Sequence, residues 1–125
     1  DINKYNPEEF IYQKYLKYRE NNGERYMFPY TKLEGSRNIA IYGAGMVGKS
    51  FWRQIIKNNY YKMVAWFDIK YEEYQNLGIP VLNPLYISEY EFDKIIIAIE
   101  DRKVSEAVYK FLVEQGIHVN KIIYL

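Results

Sequence analysis

Three closely spaced glycines, Gly43, Gly45 and Gly48, are the residues of this sequence with the clearest chemical use. They fit the pattern G-x-G-x-x-G, between an apolar run at residues 38–42 and a helical pattern. The first glycine permits a tight turn, the second lets a diphosphate approach the backbone, and the third lets a helix pack closely on a strand. Amides of the first helical turn then face the anion. We therefore predict a phosphate-binding loop made of Gly43, Ala44, Gly45, Met46, Val47 and Gly48.

Asp68 is the acidic residue that such a loop requires. It directly follows a second apolar run, at residues 63–67, and lies 20 residues beyond Gly48. A carboxylate at this position accepts hydrogen bonds from ribose hydroxyls. A 2′-phosphate would be repelled by its charge. We therefore expect Asp68 to bind a ribose and to favour NAD or a UDP-sugar over NADP. The alternative is that Asp68 only caps the turn after the strand.

The same loop also spells a Walker A pattern, G-x-x-x-x-G-K-S, from Gly43 to Ser50. In a P-loop NTPase, Lys49 would contact the β- and γ-phosphates and Ser50 would bind magnesium. However, no D-x-x-G or N-K-x-D motif follows, and the chain after Asp101 is too short to complete the usual sheet of such an enzyme. The P-loop NTPase is therefore the least favoured of the hypotheses.

The strongest predicted strand, residues 94–99, supplies the other side of the expected crevice. Ligands of open α/β sheets bind beyond the carboxyl ends of the strands, so Ala98, Ile99 and Glu100 are further candidate ligand contacts. Glu100 could instead begin a helix together with its acidic neighbour. The only histidine, His118, is expected on the surface. No His, Asp and Glu cluster has metal-ligand spacing, and no catalytic residue is identifiable.

Apolar strands alternate with helical patterns along the rest of the chain. This pattern predicts an α/β, Rossmann-like three-layer sandwich with a mostly parallel sheet in the order 3-2-1-4-5. The predicted domains are an N-terminal helix and linker at residues 1–36 and a nucleotide-binding domain at residues 37–125. The predicted helix starts at the cap Asn6 and stops near Gly23. The five predicted strands are residues 38–42, 63–67, 78–82, 94–99 and 121–124, and the longer helices are residues 46–58 and 104–115.

Composition narrows the functional classes. The net charge of +1 argues against nucleic acid as the main partner, and no apolar run is long enough for a membrane span. The absence of cysteine excludes disulfides and thiolate sites and fits the cytoplasm. The chain starts at Asp1 rather than Met, so we expect a module of a longer protein. Its 15 tyrosines raise the alternative of an interface with another domain or another copy.

The order of these motifs resembles the Rossmann-like domains of bacterial surface-polysaccharide and nucleotide-sugar proteins. That group includes the N-terminal domains of sugar acyltransferases and the domains that precede capsule-synthesis epimerases and dehydratases. The resemblance implies a bound sugar nucleotide or dinucleotide, held by the glycine loop and Asp68. Nothing resembles the β-helix that carries the catalytic histidine of the acyltransferases. The motifs that carry the resemblance are residues 39–48, 64–68, 77–81, 93–99, 116–117 and 121–123.

We therefore expect a cytoplasmic domain that binds a small-molecule nucleotide, UDP-sugar or NAD, within a larger bacterial enzyme of sugar-nucleotide or polysaccharide synthesis. Its expected partners are other domains of the parent chain and, as a further possibility, a second copy of itself. The alternative from a different class is a docking or regulatory module that retains no ligand.

Overall fold

The described residues, Gln13 and 26 to 125, form an α/β fold with a four-stranded parallel sheet in a computed structural model. Apart from Gln13, the N-terminal helix predicted between Asn6 and Gly23 lies outside them. Among the helices of these described residues, none has the length and apolarity to span a membrane. The strands are β1 (Asn38–Tyr42), β2 (Lys62–Phe67), β3 (Lys94–Ile97) and β4 (Ile122–Ile123), and the α-helices are α1 (Met46–Asn58), α2 (Tyr71–Asn76) and α3 (Arg102–Glu114).

The sheet has the order β2-β1-β3-β4, so the prediction of about five strands is wrong in number. The predicted strand at residues 78–82 is reduced to one parallel bridge between Leu82 and Phe67. The residues just before Leu82 have no backbone N–H groups free to donate to a neighbouring strand. The N–H of Ile79 donates to the carbonyl of Tyr74, and Pro80 has no N–H to donate. Only the end of this segment therefore reaches the sheet edge.

The helices begin and end at residues whose chemistry explains their bounds. Asp101 caps α3, since its side chain accepts a hydrogen bond from the N–H of Val104 at 3.0 Å. Helix α1 is followed by its cap residue Asn59, which adopts the left-handed conformation with a φ of 55° and so ends the helix. A 3₁₀ helix at Pro84–Glu89 begins at Asn83, whose side chain accepts from the N–H of Leu85.

Both faces of the sheet are buried, as expected for parallel strands covered by helices. Along β1, Ile39 and Ile41 pack into the core on the α1 side, whereas Ala40 and Tyr42 pack into the core on the α3 side. This alternation follows from the two-residue period of a strand. Because both cores meet at β1, the chain that leaves its carboxyl end is held from both sides.

Residues 26–36 are part of the same core, although the sequence predicts the domain to begin at residue 37. Phe28 and Leu33 are fully buried in the core on the α1 side, together with Ile96 of β3 and Ile123 of β4. Gln54 of α1, itself buried, accepts a hydrogen bond from the backbone N–H of Phe28. The segment therefore packs on the α1 side of the sheet, against α1 itself.

Asp93 joins the starts of β1 and β3. One oxygen of its carboxylate accepts hydrogen bonds from the backbone N–H groups of Arg37 and Asn38, both at 2.9 Å. Its own N–H donates to the carbonyl of Asn38 at 2.8 Å. These backbone hydrogen bonds hold the pKa of Asp93 below its ordinary value, and the nearby charges of Lys121 and Lys94 add to the effect.

We predict that Asp93→Ala lowers the free energy of unfolding at pH 7, because it removes the acceptor of two backbone hydrogen bonds. The expected loss is only about 1 kcal/mol, since the carboxylate is exposed and solvent screens its charge. Because the folded-state pKa is lowered, the stabilisation is present above the unfolded-state pKa and disappears as the pH falls through the folded-state value. Urea denaturation at neutral and acidic pH should therefore show a difference from wild type that narrows below about pH 4. Glu91→Gln, at an exposed neighbouring carboxylate, is the control. A difference that stays constant with pH would contradict this account.

Candidate functional site

A cleft of about 930 Å³ lies beyond the carboxyl ends of β1, β2 and β3. It is open to solvent on one side and falls within the size range of small-molecule sites. Of the ten ligand contacts predicted from the sequence, the structure brings eight to its lining; Ala44 and Gly48 are buried in the loop and do not line the cleft. The eight are Gly43, Gly45, Met46, Val47, Asp68, Ala98, Ile99 and Glu100.

Two of the three glycines are required by the shape of the turn between β1 and α1. Gly43 has a φ of 116°, and a Cβ atom there would lie 2.8 Å from the carbonyl oxygen of Ala98. At Gly48 a Cβ atom would overlap the carbonyl of Gly43. The indole N–H of the buried Trp66 donates to that same carbonyl at 2.7 Å. The turn is therefore fixed by contacts from α1, β2 and the end of β3.

Gly45 differs from the other two glycines because no atom lies within 4 Å of the position of a Cβ. It lines the cleft and stands at the N-cap of α1, with its carbonyl accepting from the N–H of Lys49 at 2.9 Å. Helix geometry leaves the N–H groups of Met46 and Val47 without a partner inside the helix. The open side of Gly45 therefore gives a ligand access to the positive end of α1.

Asp68 contacts the glycine loop as well as the cleft. Its Oδ2 accepts a hydrogen bond from the N–H of Ala44 at 2.7 Å, and its Oδ1 accepts from the N–H of Lys70 at 2.8 Å. The turn-capping role considered from the sequence is thus present. A carboxylate oxygen can accept more than one hydrogen bond, and each oxygen of Asp68 accepts one from the backbone, so Asp68 retains acceptor capacity toward the cleft that it lines.

Lys49 and Ser50 do not take the positions that a P-loop requires. The ammonium group of Lys49 donates to the carbonyl of Ala44 at 2.8 Å and lies 4.6 Å from the ring centre of Tyr74. Ser50 is 1% exposed, and its hydroxyl accepts from the side-chain amide of Gln54. Neither residue lines the cleft. Lys49 is half-buried and packs against the loop.

Two of the four tyrosines that line the cleft have hydroxyls affected by the charge of Asp68, and sequence reasoning identified neither as a site residue. Tyr42, at the end of β1, and Tyr74, on α2, both line the cleft. Burial, and after it the negative charge of Asp68, raises the pKa of each hydroxyl above its ordinary value; Glu73 adds to the effect at Tyr74. Both are therefore neutral at pH 7 and able to donate hydrogen bonds. The sequence could have indicated Tyr42, because it is the last residue of the first predicted strand and ligands bind beyond the carboxyl ends of strands.

An apolar wall forms the side of the cleft next to α3. The side chains of this helix and of the first turn of the 3₁₀ helix that line the cleft are aliphatic or aromatic, and several at the mouth are exposed. A flat ring rather than a charged group suits such a surface. The helical periodicity of α3 indicated a buried face but not that part of it would border a cleft. The wall consists of Pro84, Leu85, Val104, Ala107, Val108 and Phe111.

The remaining candidates have structural roles or border the site. Asp101 caps α3, so the helix-start interpretation holds for Asp101, whereas Glu100 lines the cleft. His118 is exposed, and its Nδ1 accepts a hydrogen bond from the N–H of Asn120 at 3.1 Å. Within residues 26–125, no group of three His, Asp or Glu side chains could hold a metal ion.

We predict that Trp66→Phe lowers the free energy of unfolding by about 1–3 kcal/mol, because it leaves the buried carbonyl of Gly43 without its indole donor. Trp52→Phe is the matched control, since Trp52 packs against Trp66 at a ring distance of 5.4 Å but is only half-buried. Urea denaturation followed by circular dichroism measures both. Equal losses from the two variants would mean that ring packing, and not the hydrogen bond, stabilises the turn.

A match to a known protein family covers most of this fold. No curated protein matches the chain. A family model described as C2185-like, N-terminal, matches residues 35–123, which include all four strands, the glycine turn, Asp68 and the end of β3. Since the match extends over more than half of the chain, the protein belongs to the C2185-like family, as its N-terminal domain.

Proposed function

We propose that this domain binds a nucleoside diphosphate in the cleft beyond the carboxyl ends of β1, β2 and β3. The observation that carries the proposal is the open side of Gly45, which faces the cleft at the start of α1 and near Asp68. A diphosphate there would accept hydrogen bonds from the N–H groups of Met46 and Val47. The positive end of the α1 dipole would stabilise its charge.

We further propose that the sheet is a Rossmann sheet with a minimal third strand. The parallel bridge of Leu82 lies on Phe67 of β2, the edge where the third strand of the order 3-2-1-4-5 would pair. The N–H of Leu82 donates to the carbonyl of Trp66 at 2.7 Å, and the N–H of Asp68 donates to the carbonyl of Leu82 at 3.3 Å. These two bonds also support the backbone that carries Asp68.

The proposed binding mode uses three parts of the cleft, which are Asp68 with its two neighbouring tyrosines, the apolar wall, and the start of α1 at Gly45. Ribose hydroxyls would donate to Asp68, whose oxygens each already accept one backbone hydrogen bond. The hydroxyls of Tyr42 and Tyr74 provide neutral donors beside it. The base would lie against the apolar wall that borders α3. In this mode the phosphates, which are joined to the ribose, would lie next to Gly45 at the start of α1.

The proposed ligand is a UDP-sugar or NAD, and the domain serves a larger bacterial enzyme of sugar-nucleotide or surface-polysaccharide synthesis. The resemblance in motif order supports this class. The carboxylate of Asp68 supports a free 2′-hydroxyl, because a 2′-phosphate would lie close to its charge. The cytoplasm, where both ligands occur, is the proposed location.

A docking module is the second candidate function, and the exposed apolar side chains at the mouth of the cleft favour it. Met46 is 69% exposed, Ile69 79% and Leu85 68%. Apolar side chains grouped at an opening mark either a ligand site or a protein contact. Ligand binding distinguishes the two roles, because a docking module that has lost its ligand would bind no nucleotide.

We predict that the purified chain binds UDP-sugar or NAD without magnesium, and that Gly45→Ala weakens this binding by about tenfold or more, because the added methyl occupies the approach of the phosphate. The variant should lose no more than about 1 kcal/mol of stability, since its Cβ meets no atom and only the N-cap preference changes. A thermal-shift panel with UDP-sugars, UDP, NAD, ATP and GTP measures the first effect, and denaturation of the unliganded variant measures the second.

Glu114→Ala, at an exposed residue near the end of α3, is the control for the panel and should bind as the wild type does. A ligand present at 100 times its dissociation constant stabilises the fold by about 2.7 kcal/mol, which is readily detected. No shift with any nucleotide would contradict the proposal and favour the docking module. A shift only with magnesium and a triphosphate, abolished by Lys49→Ala, would instead favour the P-loop NTPase.

We also predict that NADP binds about tenfold or more weakly than NAD, because its 2′-phosphate would lie near the negative charge of Asp68. Asp68→Asn should narrow this difference, since the amide oxygen can still accept a backbone hydrogen bond while the charge is gone. Titration calorimetry of both dinucleotides against both proteins tests this. Equal affinities of the wild type for NAD and NADP would place the ribose away from Asp68.

A further inference from the structure

A second cavity, of about 450 Å³, adjoins the cleft on the side of β4. Residues of the segment before β1 form one wall, and the end of the chain after β4 forms another. The two cavities share Tyr26 and Glu100. A ligand with its phosphates at the glycine loop could therefore extend past the end of β3 into this space.

The segment that forms the cavity is fixed on α1 by a buried amide. The side chain of Gln54 is fully buried; its Nε2 donates to the carbonyl of Tyr26 at 2.9 Å and its Oε1 accepts from the N–H of Phe28 at 3.3 Å. Further along, the ammonium group of Lys32 donates to the carbonyl of Tyr124 at 3.3 Å, which joins the segment to the end of β4. The cavity is thus preformed by contacts at both ends of its wall.

The lining combines aromatic rings with groups that donate and accept hydrogen bonds. Tyr26 and Phe51 are aromatic, Thr31 carries a hydroxyl, Lys32 an ammonium group and Glu100 a carboxylate. A carboxylate accepts from hydroxyls, an ammonium group donates to them, and a hydroxyl does both. A sugar ring presents many hydroxyls, each a donor and an acceptor, and an apolar face of C–H groups that packs on aromatic rings. This set of groups matches a sugar better than it matches a second planar base.

We propose that the second cavity is the subsite for the sugar of a sugar nucleotide, built by residues 26–32 together with Glu100. The assignment rests on the proposed function, since the nucleotide must be anchored at the glycine loop for its sugar to reach the cavity. It also selects between the two ligand classes, and the ligand becomes a nucleoside diphosphate hexose. Residues before β1 then contribute to ligand choice as well as to the core.

The test compares UDP with UDP-glucose and UDP-N-acetylglucosamine by titration calorimetry on the full chain. At least one of the sugar nucleotides should bind about tenfold or more tightly than UDP, a difference that corresponds to about 1.4 kcal/mol. Thr31→Val, which keeps the size of the side chain and removes its hydroxyl, should reduce that gain several-fold and leave the affinity for UDP unchanged. Lys57→Ala, at an exposed lysine on the last turn of α1, is the control for Lys32→Ala, which should act as Thr31→Val does.

Each outcome is decisive. Binding of UDP with no gain from a hexose, or a gain that neither variant reduces, would overturn the sugar subsite and leave the nucleotide site intact. A gain from the nicotinamide half of NAD that depends on Thr31 would overturn the choice of a sugar. Failure of UDP, both UDP-sugars and NAD to bind would overturn the proposed function, and the subsite with it. Circular dichroism of both variants establishes that they are folded.

Discussion

The carbonyl of Gly43 is the point at which three elements of this domain meet. Trp66 of β2 donates its indole N–H to this oxygen, Gly48 of α1 packs on it without a side chain, and Gly43 itself lies against the carbonyl of Ala98 after β3. A buried carbonyl without a donor costs about 1–3 kcal/mol, so the indole contact matters to the fold. The same contacts place the start of α1 at the mouth of the cleft. Stability and the geometry of the proposed site therefore depend on one turn.

Asp68 connects this turn to the cleft in a second way. Its carboxylate holds the N–H of Ala44 and so secures the loop from the β2 side, while the residue also lines the space where a ribose would lie. Structural and ligand-binding roles are compatible, because a carboxylate has more acceptor sites than the two backbone hydrogen bonds use. Lys49 packs against the same loop from the other side, through the carbonyl of Ala44. The loop is therefore held by side chains of β2, of Asp68 after β2 and of α1.

The sequence was informative where a local pattern determines the structure and less so where tertiary contacts do. The glycine spacing and the apolar runs of β1 to β3 were readable, because each reflects steric limits or periodicity within a short segment, whereas a helix start at Glu100 and Asp101 was only one of two alternatives. The prediction of a strand at residues 78–82 is wrong. The apolar content of this segment did not indicate that the N–H of Ile79 would donate to α2, and Pro80 has no N–H to donate to a neighbouring strand. The burial of Phe28 and the second cavity depend on the docking of residues 26–32 against α1 and β4, which periodicity does not reveal.

The most direct test of the central claim is an amide chemical-shift titration of the ¹⁵N-labelled chain with UDP. The account predicts that the largest shifts fall on the amides of Gly45, Met46 and Val47, with a smaller shift of the Trp66 indole N–H, which reports on the carbonyl of Gly43. Saturation of these signals together would locate the diphosphate at the start of α1. Shifts confined to other surfaces, or none at millimolar UDP, would contradict the claim that the glycine turn of this domain holds a nucleotide.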